Sequence, residues 1–177
     1  MKSKLYLPII AFALLATFNA PVASAQLGGL FGAAKVETIK TAELHQMLQQ
    51  QQQAETKAQE SGAKVPPANF VVVDVRSNAE INVSVIPGAI TKAQYEQNRR
   101  QYQGRLVIPY CTVGGRSGAY AKQLAKAGAK VKNYQGSILK WVDAGLPVVT
   151  LDGKPTNRVH TYSDRYRIPA NYVQVTE

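Results

Sequence analysis

The sequence predicts an α/β domain of three layers, with a mainly parallel central sheet flanked by helices. Three observations predict it. Phe70-Val-Val-Val-Asp-Val75 and Leu106-Val-Ile-Pro-Tyr110 are continuous, largely β-branched apolar runs, the pattern of strands buried on both faces. Helical stretches separate such runs, and strands that alternate with helices pair in parallel through right-handed crossovers. Asp74 and Cys111 fall where these runs finish, at the carboxyl ends beyond which open parallel sheets bind their ligands.

The elements follow in order. Val36 to Ile39 reads as a short edge strand. Thr41 is placed as the N-cap of a helix bearing Leu44, Met47 and Leu48, which runs into Gln49 to Gln53. The polar stretch 49–64 reads as a solvated insertion ended by Pro66-Pro67. Phe70 to Val75 is the first core strand, and a helix is expected over Lys92 to Tyr102. After the second core strand comes a helix from Ser117 to Ala127, stopped by Gly128. Lys130 to Tyr134 is a weaker strand, and Ser137 to Ala144 a last helix. The domain so defined spans 36–149. A tail, 150–177, carries Arg158, His160, Tyr162, Arg165, Tyr166, Arg167 and Tyr172. It reads as a strap packing its tyrosines on the domain. The sharper reading is a docking element for a partner protein through 157–172, because Tyr and Arg are enriched among interface anchors.

Met1 to Ala25 reads as a signal peptide. Lys2 and Lys4 give it a positive start, Leu5 to Phe18 is apolar, and Ala23-Ser-Ala25 supplies small residues at a cleavage site. The apolar run contains Pro8 and is shorter than the roughly 20 residues a span needs, so no stable membrane span is expected after cleavage. The product is expected to be periplasmic or secreted. Residues 26–35, with Gly28, Gly29 and Gly32, read as a flexible lead-in.

A net charge of +10 favours anionic partners. The basic residues are scattered with no interleaved aromatics, so nucleic acid is not an expected partner. Cys111 is the only cysteine, which excludes an internal disulfide and dithiol exchange within the chain. With His45 and His160 the only histidines, neither a metal site nor a cofactor is expected. His160 reads as a hydrogen-bonded structural residue. Metal-free covalent chemistry remains.

Cys111 sits at the end of an apolar run and just before a helix. The chain must turn there, and Gly114 and Gly115 allow positive φ, so successive N–H groups can point inward around the sulfur. The helix expected from Ser117 turns its partial positive charge toward the loop, and Arg116 adds a formal one. Such surroundings lower a cysteine pKa from about 8.5 to within roughly 3.5–7.5, making the thiolate the resting form near neutral pH. The same cradle suits a small anion. A cysteine that merely fills space needs neither a glycine pair nor an arginine five positions on.

Four motifs occur in sequence: Val72-Val-Asp-Val-Arg76, Ile86-Pro-Gly-Ala89, Cys111-Thr-Val-Gly-Gly-Arg116, and Trp141 with Gly145-Leu-Pro-Val148. Together they resemble a single rhodanese domain, of the sulfurtransferase family, from Val36 to Val149. The resemblance implies a rhodanese-like fold with Cys111 as nucleophile. That cysteine would take a sulfane sulfur from thiosulfate or a persulfide, carry it as a cysteine persulfide, and pass it to a thiol or cyanide-like acceptor. Thr112, Val113, Gly114, Gly115 and Arg116 would supply loop amides, with Ser117 completing the substrate-binding loop. Arg116 would also orient the donor's sulfonate. Asp74 and Arg76 would brace the loop from the adjacent strand end.

The family commonly has Gly-His before Ile-Pro-Gly-Ala, where this chain has Ser84-Val85, so no general base is placed there. Two alternatives stand beside the sulfurtransferase. A phosphatase or arsenate reductase shares the plan of strand, cysteine, loop and arginine, but related phosphatases use a loop one residue longer. A non-catalytic binding or sensing module is the other, though the chain keeps the nucleophile, the glycines and the arginine.

Overall fold

The computed structural model describes residues 35–176. The expected signal peptide and its cleavage site, and the lead-in up to residue 34, lie outside the described residues. In chain order the elements are β1 (Glu37–Thr38), α1 (Thr41–Ser61), β2 (Phe70–Asp74), α2 (Asn78–Ile81), β3 (Ile90–Thr91), α3 (Lys92–Gln97) and a 3-10 turn (Arg99–Tyr102). There follow β4 (Leu106–Tyr110), α4 (Gly115–Lys126), β5 (Lys132–Asn133), α5 (Ser137–Asp143), β6 (Val148–Val149), β7 (Pro155–Thr156), β8 (Arg158–His160) and β9 (Val173–Val175).

The sheet is parallel, as the alternating pattern predicts. β2 pairs with β3 on one side and with β4 on the other, and β1 pairs with β5. The Val107–Val131 bridge joins these into the order β3-β2-β4-β5-β1. Pro109 lies inside β4, where it cannot donate to a ladder. Its carbonyl accepts from Tyr134 N–H, so the missing donor faces β5, the neighbour with only two strand residues.

Alternation along β2 and β4 divides the core. Phe70, Val72, Ile108 and Tyr110 face α1 and α5 through Leu44, Ile138, Trp141 and Val142. Val71, Val73 and Val107 face α3 and α4 through Tyr95, Tyr120 and Leu124. Val72 and Val73 are 1 % and 0 % exposed. Burying each such side chain contributes about 1.5–3 kcal/mol. The three layers therefore follow from the period of two in the strands.

Several boundaries differ from expectation. Thr41 is the first helical residue of α1 rather than its cap, and its hydroxyl hydrogen-bonds Tyr134 at 2.9 Å instead of a backbone N–H. The glutamine run does not interrupt the helix, which continues to Ser61. Gly62, at φ +66, ends it before the prolines are reached, with Ala63 N–H bonded to Ala58 O at 2.9 Å. The helix expected over 92–102 breaks at Asn98 into α3 and the 3-10 turn. A short helix that the sequence pattern does not predict, α2, carries a Ser77/Glu80 capping box.

The tail is strapped to the domain. β6 and β7 form an antiparallel hairpin, β8 pairs with β9, and Val159 is buried in the same core as β2 and β4. Tyr172 donates its hydroxyl to Leu146 O at 2.7 Å. Among the described residues no helix is long and apolar enough to cross a membrane. No cluster of three or more His, Cys, Asp or Glu suited to a metal occurs there either.

Candidate active site

β2 and β4 end side by side, and their carboxyl ends carry Asp74 and, one residue past Tyr110, Cys111. The loop after Cys111 is shorter than expected because α4 begins at Gly115, not Ser117. Only Gly114 takes a positive φ, +96, whereas Gly115 and Arg116 already belong to the first helical turn. Gly114 is also where the loop touches Gln135: a Cβ there would overlap the Gln135 carbonyl oxygen. A left-handed backbone and a close approach coincide at that residue.

The Cys111 side chain turns back into this loop. Gly114 N–H donates to Sγ at 3.1 Å, and the residue is only 1 % exposed. Ser137 Oγ accepts Cys111 N–H at 3.0 Å and lies 3.9 Å from Sγ. Ser137 itself sits at φ +55, a conformation unusual for a residue with a Cβ. The first N–H groups of α5 complete the clamp, Ile138 donating to Cys111 O at 3.1 Å and Leu139 to Thr112 O at 3.4 Å.

Burial pushes the Cys111 thiol up. The Ser117 N–H, the Gly114 N–H, the Ser117 hydroxyl and the Val113 N–H outweigh it, and the thiol is held below its ordinary value. Because the folded-state value is depressed, the thiolate and the stability it brings are present above the ordinary thiol pKa of about 8.5, and are lost as pH falls through the folded-state value. Alkylation of Cys111 followed against pH should therefore show a midpoint below about 8.5, and Ser117→Ala should raise it. A wild-type midpoint at or above the free-thiol value would contradict this account.

The Arg116 guanidinium is held by a carboxylate. Nη1 and Nη2 donate to the two Glu80 oxygens at 2.6 and 2.7 Å, and Nη2 also donates to Thr112 Oγ1 at 2.9 Å. Thr112 Oγ1 donates to Glu80 Oε1 at 2.6 Å. Glu80 is 1 % exposed, and its other bonds reach the Ser77 N–H and hydroxyl. Burial pushes the Glu80 carboxyl up, but Arg116, Thr112 and Ser77 outweigh it and hold the group well below the usual carboxylate range. On the solvent side, the Tyr162 ring lies 5.5 Å from the Arg116 guanidinium.

Glu80→Gln should cost about 1–2 kcal/mol, less than a fully buried pair because the Arg116 side chain is 41 % exposed. The ion-pair contribution is present above the ordinary Glu pKa of about 4.3 and disappears only as pH falls through the depressed folded value. Chemical denaturation of both proteins at pH 7 and in acid, with the gap narrowing in acid, checks it.

Asp74 and Arg76 form a pair with fully buried side chains. Nη2 lies 2.7 Å from Oδ2, and Nε donates to both carboxylate oxygens. Burial opposes the guanidinium charge, and Asp74 outweighs it, so Arg76 stays protonated. Contrary to expectation, the pair's hydrogen bonds do not brace the 112–116 loop. Arg76 Nη2 donates to Ser84 O, while Val75 N–H bonds Tyr110 O at 3.0 Å. Tyr110 Oη accepts Ile86 N–H at 3.0 Å. The pair thus ties the 84–86 segment to the end of β4, one residue before Cys111. His160 is buried beside Glu80, Arg76 and Arg116, and its Nδ1 accepts Tyr162 N–H at 3.0 Å.

The family model for the rhodanese-like domain matches residues 41–144. The chain belongs to the rhodanese-like family. It is 33 % identical over 89 residues to a sulfurtransferase of Allochromatium vinosum, covering 48 % of this chain and 83 % of that protein. It is also 32 % identical over 80 residues to a tRNA sulfurtransferase of Desulfurococcus amylolyticus, covering 45 % of this chain and 16 % of that protein. A solved rhodanese-like domain protein from Staphylococcus aureus superposes with a TM-score of 0.47 at 21 % identity, over 65 % of this chain and 98 % of the other.

In this rhodanese-like domain Val113, Gly114 and Ser117 donate to the Cys111 sulfur, as named from sequence, whereas Thr112, Gly115 and Arg116 are not among its backbone donors and the Thr112 and Arg116 side chains turn to Glu80. Two residues of the site were not foreseen. Glu80 was signalled by the Ser-x-x-Glu spacing at Ser77, which marks a capping box. Ser137 carried no signal, because nothing in one sequence says that the start of α5 will meet the end of β4.

Proposed function

We propose that the protein is a periplasmic or secreted sulfurtransferase working through a Cys111 persulfide. The single observation that carries this reading is the Cys111 sulfur, facing the Gly114 N–H at 3.1 Å and held below its ordinary pKa by loop donors. A thiolate so placed attacks the sulfane sulfur of thiosulfate. The sulfur–sulfur bond of the donor breaks, sulfite leaves with the electron pair, and Cys111 keeps the sulfur as a persulfide anion. An acceptor thiolate or cyanide then attacks the outer sulfur and returns the pair to Sγ. The Val113, Gly114 and Ser117 N–H groups serve the thiolate and persulfide anions alike, as preorganised donors. Arg116, with one face still open beside its Glu80 partner, draws the anionic donor to the loop.

The experiment is intact mass of the protein before and after excess thiosulfate, then after cyanide, for wild type and Cys111→Ser. A gain of one sulfur that requires Cys111 and leaves as thiocyanate supports the reading; no gain from thiosulfate, polysulfide or mercaptopyruvate overturns it. One observation favours a second reading, a binding or sensing module. Cys111 is 1 % exposed and Arg116 already has a carboxylate partner, as in a site kept closed. Absence of loading from every donor would leave that module.

A further inference from the structure

Arg116 is the only basic residue between Cys111 and Ser117, and its guanidinium acts on both the acid that holds it and the nucleophile. Glu80 raises its pKa above the ordinary value, burial opposes that, and the Cys111 side chain adds to the rise through its charge and a hydrogen bond. Glu80 and Thr112 engage Nη1 and Nη2 in the plane of the group, which leaves its faces for other contacts. The side chain is still 41 % exposed, so these bonds alone do not enclose it.

The next contact comes from the tail. The Tyr162 ring lies 5.5 Å from the Arg116 guanidinium, and Tyr162 is beyond the 41–144 family match. It sits at φ +67, a backbone conformation that residues other than glycine rarely adopt. The residue is 66 % exposed, so burial of its ring does not explain that conformation. The turn beneath it is fixed from several sides. Tyr162 N–H donates to His160 Nδ1 at 3.0 Å and Thr161 N–H to Val175 O at 2.9 Å. Thr161 Oγ1 donates to Ser163 O at 3.0 Å and accepts from Gln174 Nε2 at 2.9 Å. His160 and Thr161 are both buried. A rigid base thus presents a strained, exposed ring to the cation of the loop, and strain of this kind collects at functional sites.

We propose that Tyr162 is a positioning residue for anion capture, its ring holding one face of the Arg116 guanidinium so that the cation is already in place when an anion approaches Cys111. An exposed arginine has rotamer freedom to lose on binding, and a cation held beforehand loses less. The negative face of the ring supplies the hold, and the opposite face of the guanidinium stays open. For the identity of the anion, a donor such as thiosulfate, this rests on the sulfur-transfer reading above. The capture itself does not, because any anionic reagent for the Cys111 thiolate feels the same charge.

The test is the ratio of the rate constants for alkylation of Cys111 by iodoacetate and by neutral iodoacetamide in the full chain. Both reagents consume the same thiolate, so the ratio is independent of the thiol pKa and reads the pull on an anion. Tyr162→Leu should lower it about threefold, the size of an exposed cation–π contact, while Tyr162→Phe, which keeps the ring, should hold it. Tyr162→Gly relieves the left-handed backbone, so its melting temperature should hold or rise while the ratio falls as in Tyr162→Leu. In an Arg116→Gln background Tyr162→Leu should change nothing further, because the ring acts through that cation. An unchanged ratio in Tyr162→Leu overturns the proposal, and so does a fall that persists without Arg116. Equal acceleration of both reagents in Tyr162→Leu also overturns it, since the ring would then be a lid over the sulfur. If the wild type takes no sulfur from thiosulfate while the alkylation ratios behave as stated, the sulfur-transfer reading falls and the capture role stands.

Discussion

Asp74→Ala should destabilise the protein by about 3–5 kcal/mol, the cost of leaving a buried charge without its partner. Both side chains of the Asp74–Arg76 pair are 0 % exposed, so neither water nor salt can substitute for the lost carboxylate. Arg76 cannot shed its proton to escape, since a guanidinium stays charged in proteins. Typical domains hold only about 5–15 kcal/mol in total, so the variant should lie near the edge of folding. Urea denaturation measures the loss, and a drop below about 1 kcal/mol would refute the account. The double substitution Asp74→Leu/Arg76→Met separates charge from shape. Replacing both members by apolar groups removes the unpaired charge, so the double variant should be more stable than Asp74→Ala.

The consequence for the site is indirect. The pair's bonds run to Ser84, and Tyr110 bonds Ile86, so losing Asp74 loosens the seat of β4 immediately before the nucleophile. Sulfur loading should fall together with stability in Asp74→Ala and recover only in part in the double variant, which regains stability but lacks the Arg76–Ser84 bond. If Asp74 instead touched substrate, the double variant would regain stability without activity.

How much of this was legible in the sequence depends on how local each cause is. The two core strands announced themselves because burial on both faces demands an unbroken apolar run, and Phe70 to Asp74 and Leu106 to Tyr110 are such runs. The nucleophile's loop was legible because a glycine beside a cysteine at a strand end has few other uses. Helix ends were less so. Gly62 closes α1 with a left-handed turn that competes with the more conspicuous prolines, and Thr41 spends its hydroxyl on Tyr134, 93 residues away. The partners of the charged groups were hidden for the same reason. Glu80 reaches Arg116 across 36 residues, and Ser137 meets Cys111 across 26. Those contacts exist only once the strands have set the register, and single-sequence patterns report period and punctuation rather than register. The tail shows the same limit, since its tyrosines were visible but the groups they meet, Leu146 O for Tyr172 and Arg116 for Tyr162, were not.

Gly114→Ala should be the most damaging single change in the loop, because three demands meet at one atom. The backbone is at φ +96, where a Cβ costs about 1–2 kcal/mol. That Cβ would also overlap the Gln135 carbonyl, a backbone group that cannot swing away, and overpacking of this kind costs about 1–3 kcal/mol more. The third demand is chemical. Gly114 N–H is the donor 3.1 Å from Sγ, so any shift that relieves the overlap also moves the hydrogen bond that favours the thiolate. The expected result is about 3 kcal/mol of lost stability, a higher midpoint for Cys111 alkylation against pH, and sulfur loading reduced by at least about tenfold. Gly115→Ala provides the contrast. Gly115 is helical and nothing lies within 4 Å of a Cβ built on it, so the same added methyl should leave stability unchanged or slightly raised. Equal losses in the two variants would mean that the loop tolerates neither side chain for a reason unrelated to φ or to Gln135. A loss confined to Gly114→Ala, with the alkylation midpoint moving alongside it, would tie the nucleophile's acidity to one left-handed residue.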